Sequence, residues 1–192
     1  MGKASKGRTA ATILIMIILA IVILFGYYYW SNRTKPIDTS GNNLSEAQQL
    51  INKDFITYYP ETPKEVTKVF ANMMKVLYSN PEEEDIKPLA LKIRELYDEE
   101  FLEQTPEDSY LNNIYVDLAN WKEKNRTITN YLLIKEDEEV EEVVDGVKYV
   151  TKFISYTIHE NKKFTETWEV LLRQDENKRW KILGWKFLPM EK

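Results

Sequence analysis

The sequence of 192 residues contains no cysteine and a single histidine. The lack of cysteine excludes disulfides, thiolate nucleophiles, iron–sulfur ligation, cysteine-based zinc sites and lipid attachment through an N-terminal cysteine. A single histidine excludes a helix that binds a metal ion through two histidines. Only His159 is available as an imidazole base. Glycine-rich phosphate loops and the Gly-x-Ser-x-Gly motif of serine hydrolases are absent as well. We therefore predict no catalytic residues, no cofactor and no metal.

Apolar residues are concentrated in one run near the N-terminus. Residues 10–30 read AATILIMIILAIVILFGYYYW and contain no charged side chain. As a helix this run extends about 32 Å, which is enough to cross the hydrocarbon core of a bilayer. Three tyrosines and a tryptophan cluster at one end, and such rings favour the headgroup region. The run predicts a transmembrane helix.

A cleaved signal peptide is the alternative interpretation, with Lys3, Lys6 and Arg8 as its basic region. Cleavage requires small residues just beyond the apolar run, where this sequence has only large aromatic ones. We therefore predict an uncleaved anchor. The basic residues favour retention of residues 1–9 in the cytosol, which leads to export of the rest. The prediction is a single-pass protein of the cell membrane with an extracytoplasmic C-terminal domain.

The chain beyond the anchor is polar and acidic. Residues 31–43, SNRTKPIDTSGNN, are rich in turn-forming residues, which is typical of a flexible linker. Without the three basic residues of the tail, 23 basic and 31 acidic residues remain, a net charge of −8. Nucleic-acid backbones repel such a domain, so we predict no nucleic-acid partner. The predicted lipid contact is made through residues 10–30.

Helical signals occupy residues 44–123. Two of the starts have the capping-box pattern, in which Ser or Thr is followed three residues later by Gln or Glu. Apolar side chains then recur at spacings of three and four residues, as on one face of a helix. The predicted helices begin at Ser45, Thr62, Glu82 and about Pro106, and the last ends near Glu123.

After Asn125 the pattern becomes that of strands rich in β-branched and aromatic residues, joined by short turns. We interpret residues 44–192 as one α+β domain, with three to four helices packed on a curved antiparallel four-stranded sheet. The acidic run Glu136–Asp145 lacks the spacing of a calcium loop and is interpreted as a solvated hairpin arm. The predicted strands are Ile128–Ile134, Tyr149–His159, Phe164–Arg173 and Trp180–Leu188.

Two segments carry a resemblance to known families. The last strand, with the sequence RWKILGW over Arg179–Trp185, resembles the Trp-Lys-Ile ending common in the nuclear transport factor 2-like superfamily. Helices followed by a curved sheet are similar to its cone fold. The segment YPETPKEV, Tyr59–Val66, resembles an uncharacterised bacterial family of small membrane-anchored proteins. The resemblance covers roughly residues 44–189 and implies a fold, and a family of unknown function, without implying an activity.

Members of this superfamily differ in function. Ketosteroid isomerase uses an inward aspartate with a tyrosine and a second acid, and we find no matching constellation here. The chain is also similar to the bitopic scaffold subunit of conjugative secretion machines, which joins one membrane helix to such a cone. The resemblance therefore leaves both enzymatic and non-enzymatic functions open.

The most distinctive polar cluster follows from the expected strand register. If Leu172 faces Trp180, then Glu166 faces Lys186, and the preceding hairpin places Tyr156 opposite Glu166. Tyr156, Glu166 and Lys186 would then meet at the mouth of the cone. One interpretation is a polar anchor for a ligand in an apolar pocket. The other is a cross-strand ion pair of modest stabilising value at the sheet margin.

The function predicted from these features is a non-enzymatic binding or assembly module that engages an envelope protein or a small ligand. Anchoring would raise its local concentration by confinement. The alternatives are a subunit of a secretion or conjugation assembly, and a small-molecule enzyme that uses the cone cavity with a carboxylate base. A filled cone or an exposed apolar patch favours a module or assembly subunit. An open cavity with a buried carboxylate of raised pKa favours an enzyme.

Overall fold

A computed structural model of the chain describes residues 44–134 and 141–188, where five helices precede five strands. The predicted tail, transmembrane helix and linker, residues 1–43, lie outside the described residues. Within the described ranges no helix is both long and apolar enough to cross a bilayer. The helices are α1 (Glu46–Ile51), α2 (Pro63–Leu77), α3 (Glu83–Arg94), α4 (Glu99–Gln104) and α5 (Glu107–Glu123). The strands are β1 (Thr127–Ile134), β2 (Glu141–Val144), β3 (Val147–His159), β4 (Lys163–Gln174) and β5 (Trp180–Leu188).

The four predicted helices are confirmed, and their starts follow the predicted chemistry. The Thr62 hydroxyl accepts a hydrogen bond from the Glu65 N–H at 3.2 Å, and Glu65 accepts one from the Thr62 N–H at 3.3 Å. Ser45 and Gln48 form the same capping box at α1. These bonds satisfy backbone donors that have no partner within the helix. Helix α4 was not predicted, since six residues are too few to show an apolar periodicity.

The sheet is antiparallel, as predicted, but it has five strands rather than four. Its order is β1-β3-β4-β5, and β2 pairs with β3 on the same edge as β1. Strand β2 comes from the second half of the acidic run, where two valines precede Asp145-Gly146. Both turn residues have positive φ, 51° and 82°, which suits a two-residue hairpin turn and favours glycine at the second position. The rest of the acidic run, residues 136–140, lies outside the described residues.

The helices cover one face of the sheet. Alternate residues of β3, among them Ile154, Tyr156 and Ile158, are fully buried on that face. Helix α2 packs across β1, β3 and β5, and buries Phe70 and Met73 against them. The alternate buried side chains of the strand and the apolar side chains of the helix therefore pack in a single core.

The outer edge of β5 is partly covered by the segment between α3 and α4. The Asp98 N–H donates to the Ile182 carbonyl at 2.8 Å, and the Ile182 N–H donates to the Leu96 carbonyl at 2.8 Å. The Asp98 carboxylate is 4% exposed and receives two guanidinium N–H groups of Arg173. Arg173 also donates to Glu100 at 2.8 Å. These contacts fix the start of α4 against the sheet.

The predicted register of the last hairpin is wrong. Trp180 pairs with Gln174 rather than Leu172, and Leu172 pairs with Ile182. Beyond that point Leu171 pairs with Gly184, so that Leu183 is an extra residue in β5. A bulge of this kind reverses which side chains face the core. The register of the preceding hairpin is confirmed, with Tyr156 opposite Glu166.

Candidate functional site

A cavity of about 690 Å³ lies between the helices and the last two strands. Its walls come from the end of α2, from α4 and α5, and from β4 and β5. Half of the lining residues are aromatic, and a few polar groups converge on the cavity, which is the usual composition of a small-molecule site. The aromatic residues are Tyr78, Tyr97, Phe101, Tyr110, Trp121, Trp168, Trp185 and Phe187.

The wall between α4 and β5 is a cluster of three rings in mutual contact. The Tyr97 ring lies 5.0 Å from Phe101 and 5.6 Å from Trp185, measured between centroids, and Phe101 lies 5.4 Å from Trp185. On β5 the ring of Phe187 meets Trp168 edge-on at 5.0 Å. Phe187 is 60% exposed although it lines the cavity. A large exposed ring at a cavity wall is a surface that a ligand could cover.

One polar centre of the cavity is built around Glu166. Its Oε2 atom accepts a hydrogen bond from Arg126 at 2.7 Å, and its Oε1 atom accepts one from the Trp168 indole at 2.9 Å. The Arg126 guanidinium also lies over the rings of Trp121 and Phe164, at 4.4 and 5.2 Å. Both oxygens of Glu166 therefore have donors, and the charge of Arg126 is shared between a carboxylate and two rings.

The second polar centre is Asp117, on the inward side of α5. Its Oδ2 atom accepts a hydrogen bond from the Tyr78 hydroxyl at 2.6 Å. No cation contacts this carboxylate among residues 44–134 and 141–188. Asp117 is half-buried, so its charge is directed at the cavity without an ion-pair partner in the described chain.

The tyrosines of the lining remain protonated well into the alkaline range. Burial raises the pKa of Tyr78, and the hydrogen bond to Asp117 raises it further. Burial also raises the pKa of Tyr97 and Tyr110, whose hydroxyls lie 3.4 Å apart. Desolvation disfavours the charged phenolate in each case. At neutral pH these rings are uncharged, and Tyr78 acts as a hydrogen-bond donor.

Residues 1–185 match the family described as "Domain of unknown function (DUF6715)". The chain belongs to the DUF6715 family. This confirms the prediction of an uncharacterised family, and the family's description assigns no activity. No curated protein matches this DUF6715 chain.

A solved structure shows a distant likeness to the DUF6715 chain. It is the crystal structure of CagV, a VirB8 homologue of the T4SS from Helicobacter pylori strain 26695. The TM-score is 0.38 and the sequence identity is 12%, over 62% of this chain and 92% of CagV.

The structure of the DUF6715 domain separates the three predicted site residues. Glu166 lines the cavity, but Tyr156 lies in the core, where it is fully buried and donates to the Ala71 carbonyl at 3.5 Å. Lys186 does not face Glu166. The bulge in β5 places it opposite Glu169, with which it forms an exposed ion pair at 3.1 Å. The predicted three-residue cluster is therefore wrong, because one extra residue in the strand moved Lys186 to the other face.

Sequence reasoning missed Asp117 and Arg126. Asp117 occupies a helical position between Ile114 and Trp121, inside the apolar stripe of α5, and an acidic residue there is a detectable signal. Arg126 lies between α5 and β1 and meets its partner from 40 residues away, which no local pattern predicts. His159 is exposed at the end of β3. Among the described residues no three His, Cys, Asp or Glu side chains are placed to hold a metal ion.

The importance of the Glu166 centre can be measured by substitution. Glu166→Gln removes the charge that balances Arg126, and both side chains are only 21% exposed. We expect a loss of about 2 kcal/mol in the free energy of unfolding, because a half-buried guanidinium loses its counter-ion. Urea unfolding of the full chain, followed by tryptophan fluorescence, measures the loss.

The matched control is Glu169→Gln on the opposite face of the same strand. Its ion pair involves Lys186, whose side chain is 66% exposed, so we expect a loss of no more than about 0.5 kcal/mol. Equal losses for the two variants would show that the Glu166–Arg126 pair has no special role in the cavity.

Proposed function

We propose that this chain is a membrane-anchored, extracytoplasmic binding module whose cavity holds a small, largely apolar ligand. The cavity itself carries this proposal. About 690 Å³ is left open and lined by aromatic rings, and the exposed phenyl group of Phe187 lies at its wall. Pockets of this size and composition are typical small-molecule sites. A filled cone, one of the two features that would favour a module, is not found, and an open cavity is one of the two features that would favour an enzyme.

The same geometry favours binding over catalysis. A general base needs a free oxygen within reach of a substrate proton. Glu166 gives one oxygen to Arg126 and the other to the Trp168 indole. Glu166 therefore resembles a fixed polar anchor. The Oδ1 atom of Asp117 has no donor among the described residues, so the enzyme alternative depends on that carboxylate, and a non-enzymatic function remains the proposal.

Membrane anchoring and export rest on the sequence. The uncharged run of residues 10–30, the basic residues before it and the acidic domain after it support an N-terminus in the cytosol. The assignment of the domain to the nuclear transport factor 2-like cone fold is part of the same proposal. Helices that precede an antiparallel sheet, with a cavity between them, support it.

A second candidate function is a subunit of a secretion or conjugation assembly. Apolar side chains on the outer face of the sheet favour it, since Leu132 is 64% exposed and Ile134 is 44% exposed. An exposed apolar patch outside the cavity is what a subunit surface would provide. Neighbouring genes that encode membrane ATPases and channel components would favour this candidate over a ligand-binding module.

Ligand binding can be tested with a small neutral probe. We expect para-fluorobenzyl alcohol to bind the full chain, detected by fluorine NMR as line broadening and a shift. Asn113→Trp should weaken this binding by at least about tenfold, because Asn113 is exposed, lines the cavity, and would direct an indole into it.

Asn112→Trp is the control for this variant. Asn112 is the preceding exposed residue of the same helix and does not line the cavity, so binding should be unchanged. Equal binding by Asn113→Trp and the unaltered chain would place the probe elsewhere. Failure of the unaltered chain to bind any fluorobenzyl compound, neutral or charged, would reject the proposed function.

A further inference from the structure

The charge of the cavity wall is unbalanced. Two acidic side chains and one basic side chain line it: Asp117, Glu166 and Arg126. Arg126 is paired with Glu166 at 2.7 Å, so these two charges offset each other. The remaining charge is that of Asp117, which is held by a hydroxyl and not by a cation within the described residues. Among the side chains that line the cavity, Asp117 is therefore the one charge without an oppositely charged partner in the described chain, while Arg94 lies over the Tyr110 ring.

The rings of the same wall already accept cations. The Arg126 guanidinium lies 4.4 Å from the centroid of Trp121, and the Arg94 guanidinium lies 4.9 Å from that of Tyr110. Both rings line the cavity. Aromatic faces attract cations through their quadrupole, most strongly where water is excluded. Burial keeps the tyrosines of the wall uncharged, so that they contribute π-faces and no competing charge.

We propose that the cavity selects an organic cation, an amine or quaternary ammonium group on a small apolar body, with Asp117 as its counter-ion. The apolar body would pack against the cluster of Tyr97, Phe101 and Trp185. The cationic head would lie near Asp117, whose Oδ2 atom is fixed by the Tyr78 hydroxyl. An aromatic enclosure with one carboxylate is the arrangement by which proteins recognise such cations.

An anionic ligand is the opposite possibility, and Arg126 is the group that would bind it. The structure favours the cation because Arg126 already has Glu166 as counter-ion and two rings as neighbours. The Nε atom of Arg126 has no acceptor among the described residues, but an anion bound to this guanidinium would lie beside Glu166 and would meet the charge of Asp117 in the same cavity. A cationic ligand and an anionic ligand should therefore bind the cavity with measurably different affinities.

The test compares three probes that share one fluorobenzyl group. They are para-fluorobenzyltrimethylammonium, the neutral para-fluorobenzyl alcohol and the anionic para-fluorophenylacetate, each titrated into the full chain by fluorine NMR. We expect the ammonium probe to bind about tenfold more tightly than the alcohol, and the anion to bind most weakly. This ranking tests the proposal in the unaltered chain, without any variant.

Variants assign the preference to Asp117. Asp117→Asn keeps an oxygen acceptor for Tyr78 but removes the charge, so its preference for the ammonium probe over the alcohol should fall to the smaller part that the aromatic rings supply. Asp108→Asn makes the same change at an exposed position of the same helix outside the cavity and should keep the preference.

This inference depends on the proposed function, and the outcomes separate the two. If the alcohol binds and the ammonium probe binds no better, the cation selectivity is wrong and the binding module stands. A preference that is undiminished in Asp117→Asn, or tighter binding of the anion, also rejects the selectivity alone. If no probe binds, both proposals are rejected.

Discussion

Replacing Arg173 with methionine is expected to lower the free energy of unfolding by about 3 kcal/mol. The substitution keeps most of the side chain's length but removes the charge that offsets Asp98. The Asp98 carboxylate is 4% exposed, and without Arg173 it would keep only the Glu100 N–H among its side-chain hydrogen bonds. An uncompensated buried charge is strongly destabilising. Urea unfolding of the full chain measures this change in the free energy of unfolding.

Two further variants distinguish this mechanism from a general loss of packing. Glu100→Gln weakens only the ion pair between Arg173 and Glu100, whose side chain is 52% exposed. This variant should lower the free energy of unfolding by no more than about 1 kcal/mol. The double variant Asp98→Asn/Arg173→Met removes both charges and keeps a side-chain oxygen to cap α4. It should be more stable than Arg173→Met alone. A single Arg173→Met variant that loses less than about 1 kcal/mol would contradict the account.

Alkaline pH is expected to unfold the domain cooperatively. Burial raises the pKa of Tyr78, Tyr97, Tyr110 and Tyr156 in the folded state. The unfolded chain releases those protons near the ordinary tyrosine pKa of about 10, so their stabilisation is complete below that pH and is lost as pH rises above it. At pH 11 each of these four tyrosines lowers the free energy of unfolding by about 1.4 kcal/mol. The four losses together approach the whole free energy of unfolding of a typical domain.

The measurement follows tyrosinate absorbance and far-ultraviolet circular dichroism in the same titration. The buried tyrosines should ionise together with the loss of structure, above about pH 10. Tyr156→Phe removes one titrating group and only a long hydrogen bond of 3.5 Å, so it should raise the midpoint pH. Tyr58→Phe, at a 70% exposed position, should change the midpoint little. Ionisation of all tyrosines with the dichroism unchanged would show that burial does not hold them protonated.

Local chemistry explains why most elements of this fold are readable from the sequence. The Thr62 and Glu65 pair specifies the start of α2, because the bonds that satisfy the first turn are made within a few residues. An enrichment in β-branched and aromatic residues likewise identifies β3. Strand β2 was missed because its two valines follow a run of acidic residues, although Asp145-Gly146 after them is a strong hairpin signal.

The cavity was harder to predict because its polar groups depend on register and on distant contacts. Gly184 within a predicted strand was a signal of a bulge, and reading it so would have placed Trp185 and Phe187 on the inner face. Asp117 within an apolar stripe was a second unused signal. The pairing of Arg126 with Glu166 has no local signal, since only the folded chain brings the two together.

The bridge between the Leu96–Asp98 segment and β5 also limits how copies of the domain can polymerise. A fibre built by strand addition requires each copy to offer an unpaired backbone at both margins of its sheet. The donor and acceptor of Ile182, near the start of β5, are already occupied by Asp98 and Leu96. A strand from another molecule could not form backbone hydrogen bonds with Ile182. Copies of the domain would therefore not extend a continuous sheet through the start of β5.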